Sequence, residues 1–244
     1  MSARGAAVQC EMGGQNASVV LADADLDAAA RTIAAAAMGY AGQKCTATSR
    51  VIAEAPIARA VAEALRAAVD ALDVEGPERD ECAVGPLITR DARDDAADAV
   101  ARAADAGGRV VTGGVVCECE GHYLFPTLVE LEDRRAELAQ EEVFGPVCAV
   151  LTARDAAEAV AIANDVRFGL SASVFTRDLD RALALTRSIE AGLVRVNAPT
   201  SGVDLHAPFG GEKASGIGPR EQGTAARELY TQTRTVLVSP AGAG

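Results

Sequence analysis

Gly42-Gln43-Lys44-Cys45-Thr46-Ala47-Thr48-Ser49-Arg50-Val51-Ile52-Ala53 carries a thiol through small and polar residues straight into a β-prone run. Arg50 to Ala53 reads as a strand, and helices flank it on both sides. Upstream, Asp23 and Asp25 precede an alanine-rich helix from about Leu26 to Met38, their acids suited to its N-terminus. Downstream, Pro56 opens a helix to about Leu72, because proline fits the first helical turn. The alternation continues outward. Val19-Val20-Leu21 is a strand, and Thr89 caps a helix to about Ala106 that Gly107-Gly108 ends before the strand Arg109-Val110-Val111. Asp155 caps Ala156 to Asn164, Asp178 opens Leu179 to Ile189, and the strand Ala172 to Phe175 lies between them. Leu193 to Val196 and Thr235 to Val238 are the last strands, and Ser239 to Gly244 is a disordered-looking tail. This pattern predicts an α/β fold with a largely parallel sheet flanked by helices, with no repeat or interdomain linker.

The 244 residues suffice for a sizeable core, and 49% hydrophobic with 24% charged content is ordinary for a soluble globular protein. Aromatics supply only 3%, so the core is expected to consist of many small contacts. A net charge of −12 opposes general nucleic-acid binding, which needs a basic stripe, and adsorption to an anionic membrane. No apolar run approaches the roughly 20 residues of a membrane span, and no signal-peptide core follows Met1. The 6 cysteines therefore read as reduced thiols of a cytoplasmic protein. Cys117-Glu118-Cys119 suggests a strand or hairpin, with the wrong spacing for zinc; with only His122 and His206 available, no metal site is expected. Cys10, Cys82 and Cys148 read as core or strand fillers.

Cys45 differs from them by its neighbours. A thiol among small, flexible and cationic residues can ionise and attack a carbonyl. Thirty-four positions earlier, Glu11-Met12-Gly13-Gly14 sets a carboxylate beside glycines, where it can approach a substrate and serve as general base for water. Further along stand Glu141-Glu142-Val143-Phe144-Gly145-Pro146-Val147, Asn164-Asp165-Val166-Arg167-Phe168-Gly169-Leu170-Ser171-Ala172, Pro208-Phe209-Gly210-Gly211-Glu212-Lys213-Ala214-Ser215-Gly216 and Arg220-Glu221-Gln222-Gly223. Taken singly, these are turns, strand ends and a glycine-rich loop with an aromatic plug.

Together, in this order and spanning Glu11 to Val238, the motifs resemble the aldehyde dehydrogenase superfamily. The resemblance implies Cys45 as the nucleophile and Glu11 as the base that hydrolyses the thioester. It implies NAD or NADP as coenzyme, with Glu142 at the nicotinamide ribose and Phe144 near the nicotinamide. It implies Phe209 lining the substrate tunnel, Glu221 behind the base and Asn197 fixing the nucleophile's loop, and assigns no chemistry to the Asn164 segment. The stretches around Cys45 and from Val194 to Asp204 are similar to α-ketoglutaric semialdehyde (2,5-dioxovalerate) dehydrogenases. Arg195 stands where many relatives carry an aromatic residue; it points either to anionic substrate recognition or to a structural salt bridge.

The resemblance also implies an architecture. Residues 1–14 would be the last strand of a coenzyme-binding domain, 15–213 the catalytic thiol domain, and 214–244 a C-terminal helix and oligomerisation strand. Family features found upstream of the base are not in the chain: the oxyanion-stabilising Asn, a ribose-contacting Lys and the phosphate-binding helix turn. The chain thus resembles the C-terminal half of such an enzyme, as a truncated product, an isolated domain or a fragment. The expected partners are a small aldehyde substrate and further copies of the chain, a dimer or tetramer in the full-length form. The alternatives are an inactive or structural fragment and a coenzyme-independent thiol esterase.

Overall fold

The computed structural model describes residues 5–117 and 120–242. β1 (Cys10–Glu11) leads into β2 (Asn16–Val20), every residue of which is buried. Helix α1 (Leu26–Met38) follows, with the Asp25 side chain accepting the Ala28 N–H as an N-cap. Ala29, Ala30, Ile33, Ala34, Ala37 and Met38 recur at helical spacing and form its buried stripe. β3 (Thr48–Glu54) and α2 (Ala58–Asp70) come next, α2 burying Val61, Leu65 and Val69. Thr89 caps α3 (Arg90–Asp105), which leads to β4 (Arg109–Thr112).

Next come β5 (Thr127–Glu130), α4 (Glu137–Gln140), β6 (Val147–Ala153) and α5 (Ala156–Asn164). The short β7 (Phe168–Gly169), β8 (Ser171–Phe175), α6 (Leu179–Thr186) and β9 (Leu193–Val196) follow. The chain closes with β10 (Glu212–Lys213), β11 (Gly216–Ile217) and α7 (Arg227–Tyr230).

Seven strands form the main sheet in the order β4-β5-β6-β3-β2-β8-β9, all neighbours parallel except the antiparallel β4-β5 pair. Helices flank it, as the alternation requires. The central strands are near-continuous apolar runs because both faces are covered. Parallel order places the amino ends of β6, β3 and β2 side by side. The segments entering them are Gly145-Pro146, Cys45-Thr46-Ala47 and Gly13-Gly14-Gln15. Two small ribbons, β1 with β11 and β7 with β10, extend this edge.

The structure departs from the sequence reading at several points. β5 and the central β6 were not anticipated, although Val147-Cys148-Ala149-Val150-Leu151 has the composition of a buried strand; its proximity to the Gly-Pro turn masked it. Helix α6 ends at Thr186 rather than Ile189. The expected strand over Thr235–Val238 makes no pairing among the described residues, and Val236, Leu237 and Val238 are 70%, 90% and 87% exposed. Cys10, Cys45, Cys82 and Cys148 are free thiols, but Cys117 is disulfide-bonded, against the expectation of reduced thiols throughout. Glu118 and Cys119 of the expected hairpin lie outside the described residues, next to an isolated bridge between Val116 and Leu124.

Candidate active site

Cys45 sits half-buried in the loop entering β3, and the backbone before it is unusual. Tyr40, Ala41 and Gly42 all have left-handed φ values of 58°, 53° and 68°. The first two are strained for residues bearing a Cβ. Gly42 is required for a second reason: a Cβ there would run into the Gly145 carbonyl. The thiol loop is thus packed directly on the turn that carries Glu142 and Phe144, and the space left between Gln15, Lys44 and Glu142 is only about 10 Å³.

Gly14 joins the third motif to the other two. A Cβ on Gly14 would fall 2.7 Å from the Cys45 carbonyl, and the Gly14 N–H donates to Glu142 Oε1 at 3.0 Å. Gly13 is pressed against the same carboxylate, so glycine is needed at both places. Glu11, Cys45 and Glu142 therefore converge through backbone contacts that only glycine permits.

Side chains that sequence reasoning passed over hold this arrangement. Asn16 Nδ2 donates to the carbonyls of Cys45 (2.8 Å) and Ala47 (2.7 Å), while its Oδ1 accepts from the Ser171 N–H (2.9 Å). Beyond β9 the chain turns at Asn197, with φ +50°, and runs back across the sheet. Ser173 donates to the Ala198 carbonyl and Ser171 to Thr200 O at 2.8 Å. Fully buried Thr200 Oγ1 donates to Thr46 O at 2.8 Å and lies 2.8 Å from Thr48 Oγ1. Asn197 was expected to fix the nucleophile's loop. Instead it bonds the Thr176 backbone at the opposite end of β8, through Oδ1 and Nδ2. Thr200 and Asn16 do that work.

Ser215 ties the Glu11 segment down: its hydroxyl donates to Gly13 O (2.7 Å) and accepts from the Gly169 N–H (2.9 Å). Arg50 is also structural. Its guanidinium, 2% exposed, donates to the carbonyls of Gln15, Ile162 and Ala163, and burial lowers its pKa to about 10.

The electrostatics correct one expectation. Lys44, the cation next to the thiol in sequence, turns to an aromatic ring. Its ammonium lies over the Tyr40 ring, 4.1 Å from the centroid, and burial lowers its pKa. Burial pushes the Cys45 thiol up, the Glu142 charge adds to this and that of Glu11 adds less; the Cys45 and Thr46 backbone N–H groups oppose them. Glu11 is itself raised, first by desolvation and then by Glu221, against hydrogen bonding from Gln9 and the charge of Arg220. Glu142 is raised by desolvation in spite of the Gly14 bond. The thiol and both carboxylates are thus raised together, burial being the first cause for each.

Glu221 is near enough to Glu11 for its charge to raise that carboxyl. Its Oε2 accepts from Gln9 Nε2 at 3.2 Å, and its backbone pairs with that of Phe209 at 2.7 and 2.8 Å. Buried Phe209 lines an open cavity of about 730 Å³ together with Arg195, Pro199 and Ser201. Its walls are linked through the backbone to the Cys45 loop and to Glu11. Thr200, between Pro199 and Ser201, holds Thr46, and a Cβ at Gly210 would lie 2.7 Å from Glu11 Oε1. Arg195 forms no salt bridge among the described residues, so the ion-pair expectation for it is not met; its bonds go to backbone carbonyls. Phe144 stands 47% exposed at φ +55° in the turn after Glu142. Among the described residues no group of His, Cys, Asp and Glu could hold a metal, and no helix is long and apolar enough to cross a membrane.

The family model described as "Aldehyde dehydrogenase family" matches residues 1–236. The chain belongs to that family. It is 40% identical over 242 residues to an α-ketoglutaric semialdehyde dehydrogenase of Bacillus subtilis, covering 98% of this chain and 50% of the relative. Against the α-ketoglutarate semialdehyde dehydrogenase of Haloferax volcanii it is 40% identical, covering 96% and 49%. A family member from Mycobacterium tuberculosis, complexed with NAD+, superposes with a TM-score of 0.91 at 34% identity, covering 97% of this chain and 48% of that one. The chain spans about half the length of the curated relatives it matches.

Proposed function

We propose that this chain carries the thiol and hydrolysis chemistry of an NAD(P)-dependent aldehyde oxidation. The observation behind this reading is the convergence at Gly14 of the Cys45 carbonyl and the Glu142 carboxylate, one loop away from Glu11. Cys45 loses its proton to a neighbouring carboxylate and attacks the aldehyde carbon, forming a thiohemiacetal on its sulfur. The developing oxyanion would rely on the Cys45 N–H; a preorganised donor of this kind contributes roughly 3–4 kcal/mol. Glu11 then draws a proton from water, which attacks the thioester and releases the carboxylic acid and the thiol.

The residues fit the nicotinamide end of a dinucleotide. Glu142 Oε2 accepts no hydrogen bond among the described residues and would take one from a ribose hydroxyl, and Phe144 is 47% exposed. Bound NAD(P)+ would accept the hydride that turns the thiohemiacetal into the thioester. The NAD+ complex of the Mycobacterium tuberculosis relative supports this choice of coenzyme. Residues 1–14 would belong to the coenzyme-binding domain, 15–213 to the catalytic domain and 214–244 to an oligomerisation arm, and complete oxidation is proposed for the full-length assembly. The two semialdehyde dehydrogenases favour a semialdehyde as substrate. The unpaired, apolar Thr235–Val238 would pair with another copy of the chain. If so, deleting residues 228–244 shifts the protein towards monomer in sedimentation, and an unchanged state ends that assignment.

Acyl-enzyme formation from p-nitrophenyl acetate tests the chemistry without coenzyme. A stoichiometric burst is expected that Cys45→Ser abolishes, with Glu11→Gln keeping the burst but slowing turnover about a hundredfold. A burst surviving Cys45→Ser, or undiminished turnover in Glu11→Gln, contradicts the assignment.

A further inference from the structure

Gln9 immediately precedes β1 and stands two positions before Glu11, so strand alternation sets these two side chains on one face and Cys10 on the other. Its Nε2 donates to Glu221 Oε2 at 3.2 Å, and the same side chain is hydrogen-bonded to the Glu11 carboxylate. An amide nitrogen carries two N–H groups, one for each carboxylate, where a hydroxyl has a single donor. The backbone beneath it is fixed. β1 pairs with β11 through Cys10–Ile217 and Glu11–Gly216, and the Met12 N–H donates to Ser215 O at 3.0 Å. Gly218, at φ +89°, lies so close that a Cβ there would come 3.2 Å from the Gln9 Cα. Glu221 follows shortly after, so the amide and both carboxylates are carried on one ribbon.

Packing alone does not hold Glu11. The residue is exposed, and Gly210 presses on it from one side, where a Cβ would lie 2.7 Å from Oε1. The charged and titratable groups around it are Glu221, Arg220 and the Cys45 thiol. Glu221 raises its proton affinity; Arg220, itself 3.6 Å from Glu212 Oε1, and the Gly211 N–H oppose this. Two carboxylates repel each other, and a cation joining them would quench the proton affinity that a base needs. A neutral double donor holds both and leaves their charges in place.

We propose that Gln9 is a positioning residue for the hydrolytic step: by bonding Glu11 and Glu221 together it fixes the Glu11 carboxylate for proton transfer from the attacking water, while the capture of the carbonyl by Cys45 proceeds without it. The proposal rests on the reading of Glu11 as the base, and Gln9 acts only through that carboxylate.

The test is the pH profile of burst and turnover with p-nitrophenyl acetate in the parent chain, Gln9→Met and Glu221→Gln. Q9M keeps the length of the side chain and removes its donors. The stoichiometric burst should persist while turnover falls about tenfold. The acid limb of turnover should move to higher pH, because Glu11 loses a bond that favours its charged form. E221Q still accepts from Gln9 but has lost the charge that raises Glu11, so its limb should move to lower pH. General damage to the fold would not shift the two in opposite directions. In an E11Q background, Q9M should slow turnover no further. A limb that Q9M leaves in place, one that both variants move the same way, or an undiminished loss in E11Q overturns the proposal. Should Q9M lose the burst, Q9E decides: it keeps the size, adds a third negative charge and must move the limb up, and an unmoved limb overturns the proposal. Failure of the underlying reading looks different: E11Q then turns over like the parent, whatever Q9M does.

Discussion

The two ends of the parallel strands are built to opposite purposes. Ligands of open α/β sheets usually gather beyond the carboxyl ends of the strands. Here that edge is closed by bonds among the protein's own groups. Asp23 accepts from the Thr176 hydroxyl and from the Arg177 and Asp178 N–H groups. Buried Glu54 accepts from Ala22 N–H and pairs with Arg181 at 2.7 Å. The amino edge instead collects a thiol, two raised carboxylates, close glycine contacts and a left-handed run of backbone. Mutually satisfied polar bonds close one edge, while the thiol, the raised carboxylates and strained backbone gather at the other.

Substitutions at the two edges should separate these roles. The largest effect is expected for Gly42→Ala, which forces a Cβ against the Gly145 carbonyl at a positive φ. A loss of about 3 kcal/mol, roughly 6–12 °C in Tm, should accompany loss of preferential Cys45 alkylation. An unchanged melting curve would break the claim that the thiol loop is seated on that turn. Thr200→Val strands the Thr46 carbonyl and should cost about 2 kcal/mol. Denaturant titration would show this, and Cys45 alkylation should lose its selectivity; if selectivity is unaffected, Thr200 is not the tether.

The smallest effect concerns the carboxyl edge. Burial alone would raise the Asp23 carboxyl, but the hydrogen bonds from Thr176, Arg177 and Asp178 outweigh it and hold the pKa low. The resulting stability is present above the ordinary aspartate value and is lost as pH falls through the native one. Asp23→Ala should therefore cost about 1 kcal/mol at neutral pH, flatten the acid side of the stability profile and leave Cys45 alkylation unchanged. Altered alkylation in that variant would show that the edges are coupled.

The same contrast explains what the sequence disclosed. Helix caps at Asp25, Thr89, Asp155 and Asp178 act within a few residues and were legible, as was the family from its ordered motifs. The scaffolding was not, because each tether joins residues far apart: Asn16 to Cys45, Thr200 to Thr46, Ser215 to Gly13. A faint signal existed. Ser18, Thr48, Ser171 and Ser173 interrupt otherwise apolar buried strands, and such hydroxyls need partners, here mostly on the returning segment 197–201. Arg50, a charge within a buried strand, carried the same kind of hint. Where the Lys44 ammonium lies was not legible, because adjacency in sequence does not set side-chain direction; it sits over the Tyr40 ring.

The pH dependence of Cys45 alkylation by iodoacetamide, in the parent chain and in Glu142→Gln, bears most directly on the amino-edge constellation. The Gln variant keeps an acceptor for the Gly14 N–H while removing the charge. The account predicts a thiol pKa above the ordinary cysteine value in the parent, lowered in E142Q and lowered less in E11Q. A parent pKa below the ordinary value, or one that E142Q leaves in place, would contradict a thiol set between two carboxylates.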